Sequence, residues 1–507
     1  MRSTAAVFLA SLIFLGWGAG SAGIATAYLD PLAHVMAQDE AVYGASSLEM
    51  ARHGGWITPR FLGRHALYKP PLLYWLEALS AKLLGPSALA LRLPSILAGA
   101  ATVALVFHCL GAAFPAEAAL AGALLLLSSH LFFIPSRTGL TDALLTFEIA
   151  LAMAALWHDP RLDSRSSRLV FGVATGAAIM TKAAAGLLPL VILAIAGISL
   201  IRLAQVSAIA LAIALPWHLW QLYEHPRWFW AEYILGEHVT WGLSAPQQTT
   251  QESQLGFYAK RIVALDPVLL LAAVVGAVRT RRRLALSWIA VVLLTAVAWR
   301  YRNVTYLAPM LPAMAMLSAT AIPKRYARLA LAVATGVFLV KLSFPHAAWG
   351  LPVAPESVNP AQAALDAYAT RHRGNDLIIV EPDDQFYAAD LDLPRLRYLW
   401  LDPATNHPQL PLDFEYLGIT VSASDYARLD QLLPIFRDRL RQWNLDSTGP
   451  VATVILARTP EEISGLIASN PQSDFYVSSS MTSPAHDSWR PSGTRVFLLS
   501  REVIQRP

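Results

Sequence analysis

Apolar runs, each close to the length that crosses a lipid bilayer, follow one another along the first two thirds of the chain. After a first run within residues 1–27, further runs lie at roughly 93–112, 116–134, 140–157, 168–180, 184–201, 204–222, 262–278, 284–299, 303–321 and 327–345. A membrane-spanning helix needs about 20 predominantly apolar residues. Only 15% of the 507 residues are charged. The sequence therefore predicts a polytopic α-helical membrane protein with about eleven transmembrane helices.

The N-terminal run has two interpretations. Its basic start, apolar middle and small-residue end are typical of a cleavable signal peptide. It is also long enough to span the bilayer, and we expect it to stay as the first helix with its N-terminus in the cytoplasm. The clusters Arg161/Arg165/Arg168, Arg279/Arg281/Arg282/Arg283 and Lys324/Arg325/Arg328 then lie on the cytoplasmic side, as the positive-inside rule requires. An odd number of spans places the C-terminal region outside.

Charge and cysteine content exclude several classes of function. The net charge of +4 is small for this length, and no basic run alternates with aromatic residues as nucleic-acid binding would require. The one cysteine, Cys109, can form no intrachain disulfide and no thiolate metal cage. We therefore predict no nucleic-acid partner and expect the positive charges to contact membrane lipids or an anionic lipid substrate.

One long polar segment, residues 38–77, interrupts the apolar N-terminal half. It carries the acid pair Asp39 and Glu40, Tyr43 one helical turn later, and Lys69 before two prolines. Charged groups this close to hydrocarbon are costly unless they face water, a partner or a substrate. We predict that this loop forms the active site.

Many residues of this loop match a known pattern. They are Asp39-Glu40, Tyr43, Glu49-Met50, Gly55-Trp56, Pro59, Gly63, Lys69-Pro70-Pro71-Leu72 and Tyr74-Trp75. In this order the loop resembles the first external loop of the ArnT-like and protein-mannosyltransferase-like bacterial membrane glycosyltransferases, the GT-C class. Val42 replaces the family's usual arginine, and Tyr68 replaces an acidic residue before the lysine, which leaves the ion-pair partner of Lys69 open. The resemblance implies a transmembrane glycosyltransferase domain at 1–345 with an external catalytic loop at 28–91.

Two short turns match the family on the same external face. The turn SRTGLTDALLTF carries Arg137 and Asp142, where the family has a basic residue and an aspartate. An aspartate in the first turn of a helix also stabilises the helix dipole, so the role of Asp142 is open between catalysis and capping. Lys182, in a turn similar to the family's TKGP turn, is either an interfacial lysine or a phosphate ligand.

A second external loop, at residues 216–256, is rich in Trp, Tyr and His. An aromatic belt at the membrane interface explains most of these rings. Glu237 and His238 match the family's Glu-His pair, whereas Trp241 replaces an arginine of many relatives. Further on, Tyr306 resembles the family's tyrosine-proline segment, and it either donates a hydrogen bond to a lipid phosphate or anchors its helix at the interface.

Beyond residue 345 the composition changes to that of a soluble domain. Strand-like runs lie at 376–381, 396–401, 414–421, 451–457, 474–479 and 495–500, and helix-like stretches lie at 359–372, 424–443 and 460–468. The pattern predicts an α/β domain at 346–507 on the external side. It contains no phosphate-binding glycine loop and no nucleophile elbow, so the sequence assigns it no chemistry.

By resemblance, the chain would move a sugar from a polyprenyl-phosphate carrier to an acceptor outside the bacterial cell membrane, with inversion. Asp39 would remove the acceptor's proton, and Lys69 would hold the departing phosphate. Glu40 is also a catalytic candidate, but it points away from Asp39 in a helix and would be a structural or supporting acid rather than a second base. Tyr43 shares the face of Asp39 and would orient either its carboxylate or the acceptor. Asp142 is a further catalytic candidate, and the other substrate-binding candidates are Arg137, Lys182, Glu237, His238 and Tyr306.

The acceptor is open among lipid A, a protein serine or threonine and another envelope glycan, and the sugar is equally open. If the acceptor is itself an ionised phosphate, no base is needed and Asp39 would only position groups. A divalent metal could bridge Asp39 to the phosphate, but no ligand cluster demands one and no other cofactor is expected.

Two alternatives to an active enzyme are open. A lipid transporter or flippase would use the same basic face to hold a lipid phosphate, but transporters commonly show internal repeats and ionisable residues at mid-membrane. This sequence has no clear repeat, and its charges cluster in external loops, which favours the enzyme. A degenerate family member whose external domain binds a partner is suggested by Val42, Tyr68 and Trp241.

Overall fold

Helices dominate the part of the chain that the structure, a computed structural model, describes. The described residues are 2–19, 39–40, 43–44, 46–52, 54–61, 64–65, 68–226, 229–244, 252–280 and 282–349, together with five strands between 377 and 501.

The helices follow one another with short connections. The first are α1 Arg2–Gly16, α2 Leu72–Leu84, α3 Ala88–Gly111, α4 Ala116–Ser128, α5 His130–Phe133, α6 Thr141–His158, α7 Arg165–Lys182, α8 Leu188–Ile195 and α9 Leu200–Glu224. After a π-helix at Phe229–Ser244 come α10 Gln254–Leu265, α11 Pro267–Thr280, α12 Arg283–Ala298, α13 Leu311–Thr320, α14 Ala327–Ser343 and α15 Pro345–Trp349. Short 3-10 helices lie at Pro135–Arg137, Ala183–Leu187, Val304–Met310 and Lys324–Tyr326.

Several of these helices are long and apolar enough to cross a membrane. Within the described residues there are four such stretches, or up to six if each of two bent helix pairs forms one span. The four are Leu89–Gly111, Arg165–Ile195, Leu200–Glu224 and Lys324–Ser343, and shorter apolar helices lie at Ser3–Gly16, Arg283–Ala298 and Val304–Thr320. The protein is thus a polytopic helical membrane protein, while the number of about eleven helices stays a prediction.

Two predicted spans are broken helices. The apolar run at 116–134 bends by 72° between α4 and the segment His130–Arg137, and α10 meets α11 at 107°. Asp266 joins the two breaks, because its buried carboxylate accepts hydrogen bonds from the Ser129 hydroxyl at 2.6 Å and from the backbone N–H groups of His130 and Leu131 at 2.7 and 3.0 Å. Lys341 of α14 pairs with the same carboxylate at 3.3 Å. The backbone N–H groups of His130 and Leu131, which lack helical partners at the break, are therefore hydrogen-bonded within the protein. Such internal hydrogen bonds are required where the surroundings are hydrocarbon.

Ion pairs and ring contacts identify one end of the helical bundle. Arg202, near the start of α9, pairs with Asp163, just before α7. Arg282 lies over the ring of Trp157 at the end of α6, 5.6 Å from its centroid. Arg328 pairs with Glu117 at the start of α4. The basic clusters predicted to be cytoplasmic thus share one end, except for Arg281, which lies outside the described residues.

The opposite end holds the start of α6 and the end of α7, which pack side by side along their lengths. Because Lys182 lies at this end and Arg202 at the other, the chain crosses the bundle again between them. This crossing contains α8 and accounts for the two runs, 168–180 and 184–201, that the sequence pattern separates.

The chain divides into two compact units. The first contains Met1–Ser21, Leu67–Gly85 and Leu89–Val353, and the second contains Ala22–Ala66, Pro86–Ala88 and Ala354–Pro507. In the second unit, β1 Arg60–Phe61 and β2 Arg64–His65 form a small antiparallel ribbon. The predicted domains at 1–345 and 346–507 remain predictions.

A five-stranded sheet accounts for the described residues beyond 349. Its strands are β3 Leu377–Val380, β4 Arg397–Trp400, β5 Val451–Ala457, β6 Asp474–Val477 and β7 Arg495–Arg501. Their order is β4-β3-β5-β7-β6, with β3 parallel to β4 and β5, and β7 antiparallel to β5 and β6. These strands coincide with five of the strand-like runs, whereas the run at 414–421 and the three helix-like stretches lie outside the described residues.

Candidate active site

Asp142 and Lys182 form an ion pair at the end of the bundle opposite the basic clusters. The distance from Lys182 Nζ to Asp142 Oδ1 is 2.8 Å, and the two side chains are 14% and 7% exposed. Asp142 lies in the first turn of α6, but the N-cap residue is Leu140, and Lys182 is the last residue of α7. The carboxylate of Asp142 therefore binds a cation from the neighbouring helix rather than serving as the N-cap.

The turn that carries Lys182 is held by two local features. Thr181 donates a hydrogen bond to Glu148 Oε1 at 2.9 Å, and Glu148 is buried within α6. Ala183 adopts a positive φ of 43°, and the chain then folds back so tightly that a Cβ on Gly186 would lie 2.2 Å from the backbone nitrogen of Ile179. Glu148 was not predicted as a site residue, although a lone carboxylate in an apolar run was a signal for it.

Tyr306 lies beside this ion pair. Lys182 Nζ is 4.9 Å from the centre of its ring, within the range of a cation–π interaction. The side chain of Tyr306 also interacts electrostatically with the carboxylates of Asp142 and Glu237. A 3-10 helix carries Tyr306, and Asn303 caps it by accepting a hydrogen bond from the Thr305 N–H at 3.0 Å.

Lys69 and Glu237 form a second, partly buried ion pair, with side chains 17% and 20% exposed. Glu237 belongs to the π-helix, an element that is frequent at functional sites. The sequence left the ion-pair partner of Lys69 open. The structure identifies this partner as Glu237, which belongs to the second external loop, rather than the residue at position 68. His238, the next residue, donates from Nδ1 to the carbonyl of Tyr233 at 2.5 Å.

Apolar packing brings these polar segments together. Ile179 and Met180 of α7 pack with Trp217 of α9 and Tyr233 of the π-helix, and Trp75 of α2 lies against this core. These contacts place the segments before α2 and after α7 at the same end of the bundle. We call Lys69, Asp142, Lys182, Glu237 and Tyr306 the polar cluster.

Arg137 is placed close to the helix break at Ser129. Its guanidinium lies 5.0 Å from the centre of the Phe133 ring, and Arg92 is near enough to repel it. Among the described residues, the contacts of Arg137 therefore do not connect it to the polar cluster.

Asp39, Glu40 and Tyr43 belong to the second compact unit. Asp39 is half-buried, whereas Glu40 and Tyr43 are 1% and 4% exposed. Asp39 is thus the more accessible carboxylate of the pair, in keeping with the different directions expected for neighbouring helical residues. Within the described part of the chain, no group of three or more His, Cys, Asp or Glu side chains could hold a metal ion.

The helical bundle has partly buried ion pairs at one end and basic clusters at the other. This is the arrangement of a polytopic membrane protein whose paired charged side chains lie at one membrane face. A family model described as dolichyl-phosphate-mannose-protein mannosyltransferase matches residues 68–220, the segment that contains Lys69, Asp142 and Lys182.

Curated relatives carry the name undecaprenyl phosphate-alpha-4-amino-4-deoxy-L-arabinose arabinosyl transferase. The relative from Pseudomonas aeruginosa PAO1 is 29% identical over 321 residues, which cover 59% of this chain and 58% of that protein. A relative from Sodalis glossinidius is 28% identical over 308 residues, or 55% and 54% of the two chains. The chain thus matches a little over half the length of these relatives.

A solved structure extends the likeness to the whole chain. The crystal structure of ArnT from Cupriavidus metallidurans bound to undecaprenyl phosphate aligns over 100% of this chain and 99% of that one, with a TM-score of 0.69 and 18% identity. Its apo structure gives a TM-score of 0.62 over 91% and 93%. The fold is therefore the GT-C membrane fold, and the resemblance to the ArnT-like and protein-mannosyltransferase-like glycosyltransferases is confirmed.

Proposed function

We propose that this protein is an integral-membrane glycosyltransferase that moves a sugar from a polyprenyl-phosphate carrier to an envelope acceptor, with inversion. The observation that carries this proposal is the polar cluster, in which two ion pairs from four separate chain segments flank Tyr306. Relatives named for undecaprenyl phosphate-linked sugar transfer, and a similar fold bound to undecaprenyl phosphate, support it.

The two lysines would hold the phosphate of the donor. Each ammonium group has three N–H donors, and one is directed to a carboxylate in this structure. The remaining donors of Lys69 and Lys182 are available for the phosphate oxygens, and the Tyr306 hydroxyl would donate another hydrogen bond. Preorganised donors of this kind stabilise the charge that develops on the leaving phosphate.

The carboxylates would have two different roles, positioning the lysines and accepting the proton of the acceptor. Asp142 and Glu237 hold the two lysines in position, whereas Asp39 would take the proton from an acceptor hydroxyl. Buried Glu40 would support the loop, and Tyr43 would orient Asp39. Arg137 and His238 remain proposed substrate ligands at the edge of the cluster.

We further propose that the chain contains about eleven spans in a bacterial inner membrane, with the polar cluster and an α/β domain at 346–507 on the external side. The mixed five-stranded sheet supports such a domain. The placement of the three basic clusters at the other end of the bundle supports the orientation.

Mass spectrometry of a deletion strain tests the proposed activity. Lipid A, envelope glycans and exported proteins would be compared after complementation with wild type, Asp39→Asn or Asp163→Asn, the last being a matched change at the opposite end. We expect a pentose- or hexose-sized mass to disappear on deletion and to return with wild type and Asp163→Asn only. Return with Asp39→Asn as well would remove Asp39 as the base, and an unchanged profile in all three fractions would contradict sugar transfer.

A further inference from the structure

The end of α14 and the short helix α15 are held against the first helix break. We call residues 341–349 the junction segment, because they join the last long helix of the bundle to the chain that continues toward the sheet. Its two anchoring side chains, Lys341 and Trp349, are 19% and 1% exposed. Since α14 begins beside the basic clusters, where Arg328 pairs with Glu117, the junction segment lies toward the end of the bundle that holds the polar cluster.

Lys341 and Trp349 bind a backbone carbonyl that the break releases. In a continuous helix the Ser128 carbonyl would accept the N–H of Phe132, but this N–H is directed to the Ser129 hydroxyl at 3.3 Å. Lys341 Nζ donates to the Ser128 carbonyl at 2.7 Å, and Trp349 Nε1 donates to the same oxygen at 3.2 Å. The junction segment thus supplies the donors that the broken helix lacks.

The junction segment also binds both ends of α5. At the first residue of α5, His130 Nδ1 donates to the carbonyl of Ala348 at 3.0 Å. At the last, the ring of Phe133 stacks on that of Trp349, with the ring centres 4.6 Å apart and the planes inclined by 24°. Lys341 adds a third connection through its ion pair with Asp266, which accepts the first two N–H groups of α5.

In turn, α5 supports two groups of the proposed active site. It continues into the 3-10 helix of Arg137, because Ile134 N–H donates to the His130 carbonyl at 3.2 Å and Arg137 N–H donates to the Ile134 carbonyl at 3.0 Å. The Arg137 guanidinium lies over the Phe133 ring. On another side, α5 packs against the 3-10 helix that carries Tyr306. A displacement of α5 would therefore move both Arg137 and Tyr306.

We propose that Lys341 and Trp349 are positioning residues for the transfer reaction. From the junction segment they hold α5, and through α5 they hold Arg137 and Tyr306 in the arrangement that the reaction needs. An ionisable side chain inside a membrane bundle is costly unless it has a function, and this role accounts for Lys341. The inference rests on the proposed function and adds to it two residues that lie outside the polar cluster.

Hydrogen–deuterium exchange of the full chain in nanodiscs, combined with transfer kinetics, tests the inference. Lys341→Met removes the ammonium group and keeps an unbranched side chain. We expect it to raise amide exchange in the segments 128–137 and 304–310 about 5–10-fold, because local opening there loses the stabilisation of about one hydrogen bond. The value of kcat/KM should fall about 10–100-fold, since a small misplacement of substrate-positioning groups is costly. Trp349→Phe, a milder change that keeps an aromatic ring and loses the Nε1–H donor, should shift both quantities in the same direction by a smaller factor.

The matched control is Trp288→Phe. Trp288 is 2% exposed in α12, near the end of the bundle with the basic clusters, so this variant also alters a buried indole. It should change neither exchange in 128–137 nor kcat/KM, and thermal unfolding shows whether each variant keeps its fold.

Two results would overturn the positioning role. Exchange raised to the same extent along the whole bundle would mean that Lys341 and Trp349 only stabilise the fold. Locally raised exchange with unchanged kcat/KM would mean that α5 does not position the site. Absence of transfer by the wild type would instead contradict the proposed function, and the exchange pattern would still show whether the junction segment holds α5.

Discussion

Lys69 and Glu237 are 168 residues apart in the sequence, yet their side chains meet. If the pair acts as a unit in holding a phosphate, Lys69→Gln and Glu237→Gln should each lower kcat/KM about 10²–10³-fold, the usual cost of losing one preorganised electrostatic contact. The double variant should be little worse than either single variant, because residues that act as one unit are not additive. Steady-state transfer kinetics on the purified variants would measure this.

Lys82→Gln, at an exposed lysine in the last turn of α2, is the matched control and should keep wild-type kinetics. Losses that multiply in the double variant would show that Lys69 and Glu237 work independently.

Individual site residues were predictable from the sequence, but their ion-pair partners were not. Local motifs named Lys69, Asp142, Lys182, Glu237 and Tyr306 one by one, because each lies in a short recognisable segment. The pairing of Lys69 with Glu237 depends on a π-helix and on tertiary packing, neither of which a local pattern encodes. The sequence therefore predicted the members of the cluster and not their partners.

Among the elements, the turn at Ala183–Leu187 has little room for change. A Cβ on Gly186 would lie 2.2 to 2.4 Å from backbone atoms of Ala178 and Ile179, which cannot move without shifting the last turn of α7. Gly186→Ala should therefore displace Lys182 and sharply reduce transfer, together with a lower unfolding temperature. Gly336→Ala in α14 is the control, since its Cβ meets nothing within 4 Å. This change should be neutral or stabilising by about 0.5–1 kcal/mol, and equal activity of the two variants would contradict the proposed role of the turn.

The two helix breaks depend on Asp266. Its carboxylate is 1% exposed, accepts three hydrogen bonds and pairs with Lys341. Asp266→Ala leaves the partly buried Lys341 ammonium without its carboxylate and the N–H groups of His130 and Leu131 without their acceptor, and should lower the free energy of unfolding by about 3–5 kcal/mol. Asp163→Ala removes a pair in which the aspartate is 64% exposed, and should cost no more than about 1 kcal/mol. Thermal unfolding in detergent compares the two, and similar losses would contradict a special role for Asp266.

These breaks explain why helix boundaries were harder to predict than helix existence. The run at 116–134 is predominantly apolar, and its short polar segment Ser128-Ser129-His130 does not divide it in the hydropathy pattern. At the second break a signal was present, because the residue before a proline avoids helical geometry and Asp266 precedes Pro267. Its partner across the bundle, Ser129, could come only from the structure.

For the molecule as a whole, the separation of the polar cluster from the basic clusters predicts which ends face which compartment. The single cysteine makes this testable, since Cys109 is buried and Cys109→Ala gives a cysteine-free background. In that background, Ala259→Cys on α10 and Arg161→Cys beside Asp163 each introduce one exposed thiol. A membrane-impermeant maleimide added to intact spheroplasts should label Ala259→Cys at once and Arg161→Cys only after the membrane is permeabilised.

The two thiols report on the orientation independently of any activity. Labelling of both from outside would place the basic clusters on the external face, against the positive-inside rule. Labelling of Arg161→Cys alone would mean that the molecule has the opposite orientation. The polar cluster would then face the cytoplasm, where a donor presented on the outer leaflet could not reach it. The expected pattern would instead put Lys69, Lys182 and Tyr306 on the external surface, the side on which the proposed transfer to envelope acceptors must take place.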